Sequence, residues 1–310
     1  MKFNQNTKYD IVGIGATPLD TLMIIENFPN GREVHPTLDF ICFPVGTALS
    51  TASKLGSKTI MIDKISDDII GKSILSDYLK YDVDTSYIQI EKNKQSASAT
   101  ILVKKSTGDR AIYFTPSTTT ELSDISPFID VIKNSKILHI NGRHKQILSD
   151  AITIAKNYNV KISFDGGANR YNEFNDLLAQ KSDICILAKD FANKYTNEID
   201  TIKALKIIIE KGSYIAGITL GDKGSYIMDN NYNIIYQPAF KQKNIIDTTG
   251  CGDSYHGAFL YGLINNFSLT QTTQIASAVA SINTQKLGSR GNLPNLTELK
   301  HFLKNNYIVI

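Results

Sequence analysis

Short apolar runs of strand length alternate with stretches of helical periodicity along almost the whole chain. This alternation constrains the fold more than any other feature. Tyr9 to Ala16 (YDIVGIGA) reads as a buried strand ending in glycines, 46–56 as a helix of small residues, and Lys58 to Asp63 as another strand. Ile70, Ile74, Tyr78 and Leu79 share a helical face. Lys136 to Ile140 reads as a strand, followed by a helix with Ile147, Ala151, Ala155 and Tyr158 on one side. Strands are expected again at 160–165, 183–187 and 214–220, with helices between them. Ile275, Val279 and Ile282 mark a late helix, and a short one closes the chain at about 296–304. Apolar strands buried on both faces and separated by amphipathic helices imply a mostly parallel sheet in an α/β sandwich. Residues 21–45 and 97–118 break the rhythm: they hold strand-like pieces (TLMII, LDFICF, SATILVKK, RAIYF) with no helix between them. These are expected to form a small antiparallel β-flap, giving one domain over 1–310 whose lid strands come from about 18–45 and 97–118.

A chain of 310 residues buries enough surface to be stable without a metal or disulfide staple. Its 33 basic and 30 acidic residues leave a net charge of +3, which argues against a nucleic-acid or membrane surface. No window approaches a membrane span, and the polar first ten residues lack a signal-peptide apolar region, so a cytoplasmic protein is expected. Cys42, Cys185 and Cys251 form no CxxC pair, which disfavours a disulfide framework or a structural zinc site. His139 and His144 do not have the spacing of a metal pair.

The chemistry is expected in Ile245 to Leu263, IIDTTGCGDSYHGAFLYGL. Gly250, Cys251 and Gly252 let the backbone turn tightly before an apolar helix, aiming free N–H groups and the positive end of the helix dipole at one point. That is an anion site. A carboxylate beside bound phosphate, here Asp253, adds nothing to affinity but is well placed to take a proton from an attacking hydroxyl. The plain alternative is that Asp253 or Thr249 merely caps the helix. Exposure of Cys251 near a helix N-terminus could lower its pKa and make it oxidisable, against a plain packing role; His256, one turn on, is expected to be a packed or solvated helix residue. Gly13 and Gly15 lack the third glycine of a dinucleotide fingerprint, since Pro18 stands in its place, and no GxxxxGK[ST] occurs.

DTTGCGD at 247–253, followed by Gly257 and Ala258, resembles the C-terminal signature of the ribokinase-like (PfkB-type) carbohydrate kinases. The resemblance runs over nearly the whole chain: GATPLD at 15–20, VGTALSTASKLG at 45–56, TLGDKG at 219–224 and LGSRGNLP at 287–294 match in order and spacing. It implies a ribokinase-like three-layer sandwich and an ATP-dependent kinase that phosphorylates a hydroxyl of a small sugar or sugar derivative. Asp253 would be the general base, with Gly250, Cys251 and Gly252 forming the anion hole. Asp20, Gly46, Thr47 and Ser50 would position the sugar, with Arg110 or Arg143. ATP would lie against Thr219, Gly221, Gly224, Gly252 and Asn283 and arrive with Mg²⁺. Asp247 would border a monovalent cation, with K⁺ the candidate, and a homodimer through the flap is the default.

This sequence departs from the family pattern at two places. Val45-Gly46 replaces a Gly-Gly pair, with Ser50 where asparagine is usual, which puts the identity of the sugar in doubt. The expected NxxE motif is replaced by Ala188 to Phe191 (AKDF), a departure similar to the ketohexokinase-like branch, with Asp190 nearby. LHINGRH at 138–144 has the same flavour and sets Asn141 and Arg143 towards the substrate cleft. Arg170 is either an anion clamp or a solvated loop residue. Two other readings stay open: a nucleoside kinase with a base stacked on Phe28, Phe40 or Phe43, and a catalytically weak sugar-binding regulator.

Overall fold

A computed structural model of the protein describes residues 1–5, 7–29, 37–40, 44–106 and 110–310, the side chains of 37–40, 44, 110 and 112 excepted. Cys42 and Phe43 lie outside these, as do the side chains of Phe40 and Arg110. The strands are β1 (Tyr9–Ile14), β2 (Leu19–Ile25), β3 (Thr37–Phe40), β4 (Thr59–Ser66), β5 (Asp84–Glu91), β6 (Ser98–Lys104), β7 (Arg110–Thr115), β8 (Ser135–Ile140), β9 (Lys161–Gly166), β10 (Ile184–Ala188), β11 (Ile215–Thr219), β12 (Ser225–Asp229) and β13 (Ile234–Gln237). The helices are α1 (Pro44–Lys54), α2 (Ile69–Lys80), α3 (Ile129–Lys133), α4 (Lys145–Asn157), α5 (Glu173–Gln180), α6 (Lys189–Thr196), α7 (Thr201–Glu210), α8 (Cys251–Ile264), α9 (Leu269–Asn283) and α10 (Leu296–Asn305).

Nine strands form the main sheet in the order β13-β12-β11-β10-β9-β8-β1-β4-β5. It is parallel from β5 to β11, and β12 and β13 add an antiparallel edge. Alternate residues of the inner strands enter opposite cores. In β10, Ile184 and Ile186 join α1, α2, α8, α9 and α10, while Cys185 and Leu187 join α3 to α7. Both faces being apolar is why these strands read as continuous hydrophobic runs. The edge strands β12 and β13 carried no such signal: β13 is half exposed, so its apolar residues alternate with solvent.

The smaller sheet has the order β3-β2-β6-β7. Its two outer pairs are antiparallel and the central β2–β6 pair is parallel, so the fold is the mostly parallel sandwich with a small second sheet that the sequence implied. The buried residues Leu22, Ala99 and Ile101 form its own apolar cluster.

Helix α8 is buried on nearly every side, which a short run of small residues allows. A methyl group on Gly257 would meet the Ala48 carbonyl oxygen of α1 at 2.1 Å. Gly257→Ala is therefore expected to push the two helices apart and destabilise the fold by about 1–3 kcal/mol. Thermal denaturation followed by circular dichroism checks this.

Candidate active site

The parallel strands end together on one edge of the sheet, the edge where ligands of open α/β sheets bind. Helix α8 starts there. Its N-cap is Gly250, at φ 72° and without a side-chain cap; an added methyl would meet Ser289 Cβ at 2.3 Å, so only glycine fits this turn. The capping alternative fails. Thr249 turns its hydroxyl to Asp247 Oδ1 at 2.7 Å, and Asp253 lies inside the first turn. Among the described residues the amides of Gly252 and Asp253 have no acceptor, and a methyl on Gly252 would meet nothing within 4 Å. Two free donors, the helix dipole and open space above them fit a phosphoryl group.

Asp253 is half-buried at this point, and its pKa is pushed up to about 6. Burial is the leading cause and repulsion from Asp165 the second, with Arg170, His256 and Arg290 opposing. Asp165, on β9, is itself buried. Burial alone would raise it, yet His256 and Arg170 hold it well below the usual carboxylate range. His256 Nε2 stands 3.3 Å from Asp165 Oδ1, and Arg170 donates from NH1 to Oδ2 at 3.3 Å. His139 lies beside His256, their rings 5.6 Å apart, and its Nδ1 is 3.1 Å from Ser163 Oγ. Burial, then His256, pushes His139 down to about 3. These groups were missed as a set in the sequence. The signal was there: Leu138, Ile140, Ile162 and Phe164 enter one core, so His139, Ser163 and Asp165 are polar residues at the positions facing α8.

The 287–294 tail closes behind the anion turn. Asp247 is buried, accepts from Thr249 N and Oγ1, and accepts Gly288 N at 3.0 Å. Ser289 Oγ is 3.1 Å from Thr47 Oγ1. Arg290, also buried, pairs with Asp77 and donates from Nε to Thr47 Oγ1 at 3.2 Å. Gly46 is small because a methyl there would meet Tyr78 OH at 2.3 Å and Arg290 NH2 at 2.7 Å. Gly46 and Thr47 thus form the wall behind the turn. Cys251 is half-buried and its thiol points to the Ala280 carbonyl, 3.5 Å away.

Among the residues expected to contact a ligand, Thr47, Ser50 and Asn283 are fully buried. The Asn283 Nδ2 donates to Ser289 O and its Oδ1 accepts from Asn292 N, so it braces the tail. Thr219 ends β11, and the turn after it closes with Leu220 N on Gly224 O. Gly224 (φ 87°) is tight against the Gln237 carbonyl, whereas Gly221 (φ 63°) faces open space. Asp20 is half-buried near the start of β2. Arg143 is exposed just past β8, between Gly142 and the left-handed His144. Asn141 is buried there, and its Oδ1 has no partner among the described residues. Asp190, at the start of α6, accepts the Asn169 amide at 2.7 Å. Below the smaller sheet, Leu122 N donates to His144 Nδ1, so Nε2 carries the proton to Asp63, which also accepts from Thr17.

A model of pfkB family carbohydrate kinases matches residues 46–296. A 5-dehydro-2-deoxygluconokinase of Bacillus licheniformis is 26% identical, covering 97% of this chain and 98% of that one. A ribokinase of Lactococcus lactis is also 26% identical, covering 94% and 96%. Among solved structures, Arabidopsis thaliana ribokinase complexed with ribose and ATP superposes with a TM-score of 0.81 at 20% identity, covering 96% of this chain and 99% of that one. Adenosine kinase of Sinorhizobium meliloti gives 0.82 at 20% identity, with the same coverage. No helix among the described residues is long and apolar enough to cross a membrane.

Proposed function

The chain belongs to the pfkB family of carbohydrate kinases and is an ATP-dependent kinase acting on a sugar hydroxyl; from that premise we propose that Asp253 is its general base and that residues 250–252 form its anion hole. The observation that carries this reading is the uncapped start of α8, where unpartnered amides and a carboxyl of raised pKa share one turn. An ionised Asp253 accepts the acceptor's hydroxyl proton as the oxygen attacks. The amides of Gly252 and Asp253 hold the transferring group through fixed dipoles, which need no reorganisation during the reaction. Mg²⁺ bound with ATP supplies charge neutralisation on the phosphate oxygens. The turn at 219–224 borders the nucleotide, with Gly221 as its open position. The smaller sheet closes over the sugar and excludes water.

We place the acceptor among acidic sugar derivatives, because Arg143 and Arg170 follow β8 and β9 on the edge that carries Asp253. Asp20 and Gly46, with Arg110, complete its surroundings. Acceptor-dependent ADP release from MgATP tests this on 5-dehydro-2-deoxygluconate, other sugar acids, ribose, hexoses and adenosine. Turnover on a sugar acid well above that on ribose is expected. Turnover confined to adenosine would replace this reading with a nucleoside kinase, and ATP binding without any turnover would favour a regulator. Potassium at Asp247, a cytoplasmic location and a homodimer through the smaller sheet belong to the same reading. The dimer is supported by Tyr113 and Phe114, exposed on the edge strand β7. Replacing K⁺ by Li⁺ in the assay, cell fractionation and sedimentation equilibrium check the three.

A further inference from the structure

Behind the start of α8 lies a buried charged group, Asp165 with His256 and Arg170. Asp165 projects from β9 towards α8, and both of its oxygens face a base-bearing side chain: Oδ1 is 3.3 Å from His256 Nε2 and Oδ2 is 3.3 Å from Arg170 NH1. His256 is one helical turn beyond Asp253. Arg170 leaves the loop after β9 and folds back over Gly167, where a methyl group would meet its guanidinium at 3.1 Å. The Asp165 carboxyl therefore ties the α8 side of the site to the loop that carries Arg170.

We propose that Asp165 is a positioning residue for phosphoryl transfer: it pairs with Arg170 through one oxygen and His256 through the other, and so holds the Asp253 carboxyl in a fixed frame of charge. The inference rests on Asp253 being the base. The groups facing Asp253 are Asp165 on β9, Arg170 after it, His256 on α8 and Arg290 in the tail. Those facing Asp165 are His256, Arg170 and His139. Asp165 and Arg170 act on Asp253 with opposite sign, so the proton affinity of the base is set by their balance. A carboxylate too acidic would be a poor base at neutral pH; one too basic would be protonated.

The test is the pH dependence of kcat/KM on whichever acceptor the ADP-release panel shows to be turned over, with thermal midpoints recorded for every variant. Asp165→Asn keeps the size of the side chain and removes the like charge. It is expected to move the acid limb down by about one pH unit and to lower kcat at neutral pH about tenfold, more than it changes KM. Arg170→Gln removes the opposing charge and is expected to move the limb upward. A packing role predicts no such opposed pair. His256→Gln, which retains a donor, is expected to keep more kcat than His256→Leu. Limbs that stay in place in both Asp165→Asn and Arg170→Gln, or that move the same way, overturn the proposal, as does a loss explained wholly by lowered thermal midpoints. Asp253→Asn is run beside them: if it stays active the base assignment fails and this inference with it, whereas an inactive Asp253→Asn with unmoved limbs sinks the positioning role alone.

Discussion

Replacing Asp253 with asparagine is expected to lower acceptor-dependent ADP release by about 10² to 10⁴-fold, the usual loss of a general base, while the protein stays folded. Asparagine fills the same space and leaves the amides of Gly252 and Asp253 in place, so KM for MgATP should change much less than kcat. If Asp253 is the general base, the acid limb of kcat/KM in the native enzyme should report a group titrating at about 6, because a base acts only when ionised. The sign for stability is the reverse. A carboxyl raised above its ordinary 3.8 binds its proton more tightly in the folded state, so the folded form loses ground as pH rises from about 4 to 6. Asp253→Asn removes that loss, and its thermal midpoint near pH 7 should equal or exceed the native one. An active Asp253→Asn, or one inactive only because it unfolds, contradicts the assignment.

Arg290→Met is expected to produce the largest loss of stability. The guanidinium is buried and pairs with the buried Asp77, lies over the rings of Tyr78 and Tyr81 at 5.3 and 5.5 Å, and bonds Thr47. Removing it leaves the Asp77 carboxylate inside the protein with, among the described residues, only Lys80 as a cationic partner, whose Nζ is 3.9 Å away and whose side chain is mostly exposed. Breaking a buried pair from one side costs about 3–5 kcal/mol, a drop of roughly 10 °C in the thermal midpoint for a chain of this size. The cost comes mainly from the stranded charge. The double variant Asp77→Leu, Arg290→Met should therefore recover much of the loss. Activity should fall as well, since Ser289 beside it abuts Gly250 and shapes the anion turn. A single variant as stable as the native protein would show that the pair is not what pins the tail.

The tight turn into α8 was legible because its geometry is local. Gly250, Cys251, Gly252 and Asp253 are consecutive, and a tight turn into an apolar helix exposes amides wherever it occurs. The sandwich was legible for a related reason. Strands of one parallel sheet bury both faces, so β1, β8, β10 and β11 each announce themselves by composition alone. The antiparallel edge was not, since β12 and β13 rely on a turn and on partners rather than on a continuous apolar run. The burial of Thr47, Ser50 and Asn283 was not legible, because sequence position near a motif says nothing about which side of a helix faces the cleft.

Asp165, His256, Arg170 and Arg290 mark the boundary. The sequence by itself determined that a tight, amide-exposing turn with a carboxylate would sit at the start of an apolar helix in an α/β sandwich, since both follow from short-range patterns of side-chain size and polarity. Only the tertiary structure decided what charge surrounds that carboxylate. Asp165 and Asp253 are 88 positions apart in the numbering, and Asp77 and Arg290 are 213 apart. Electrostatic influence falls with distance in space and rises with burial. Neither quantity exists until the strands and helices have packed.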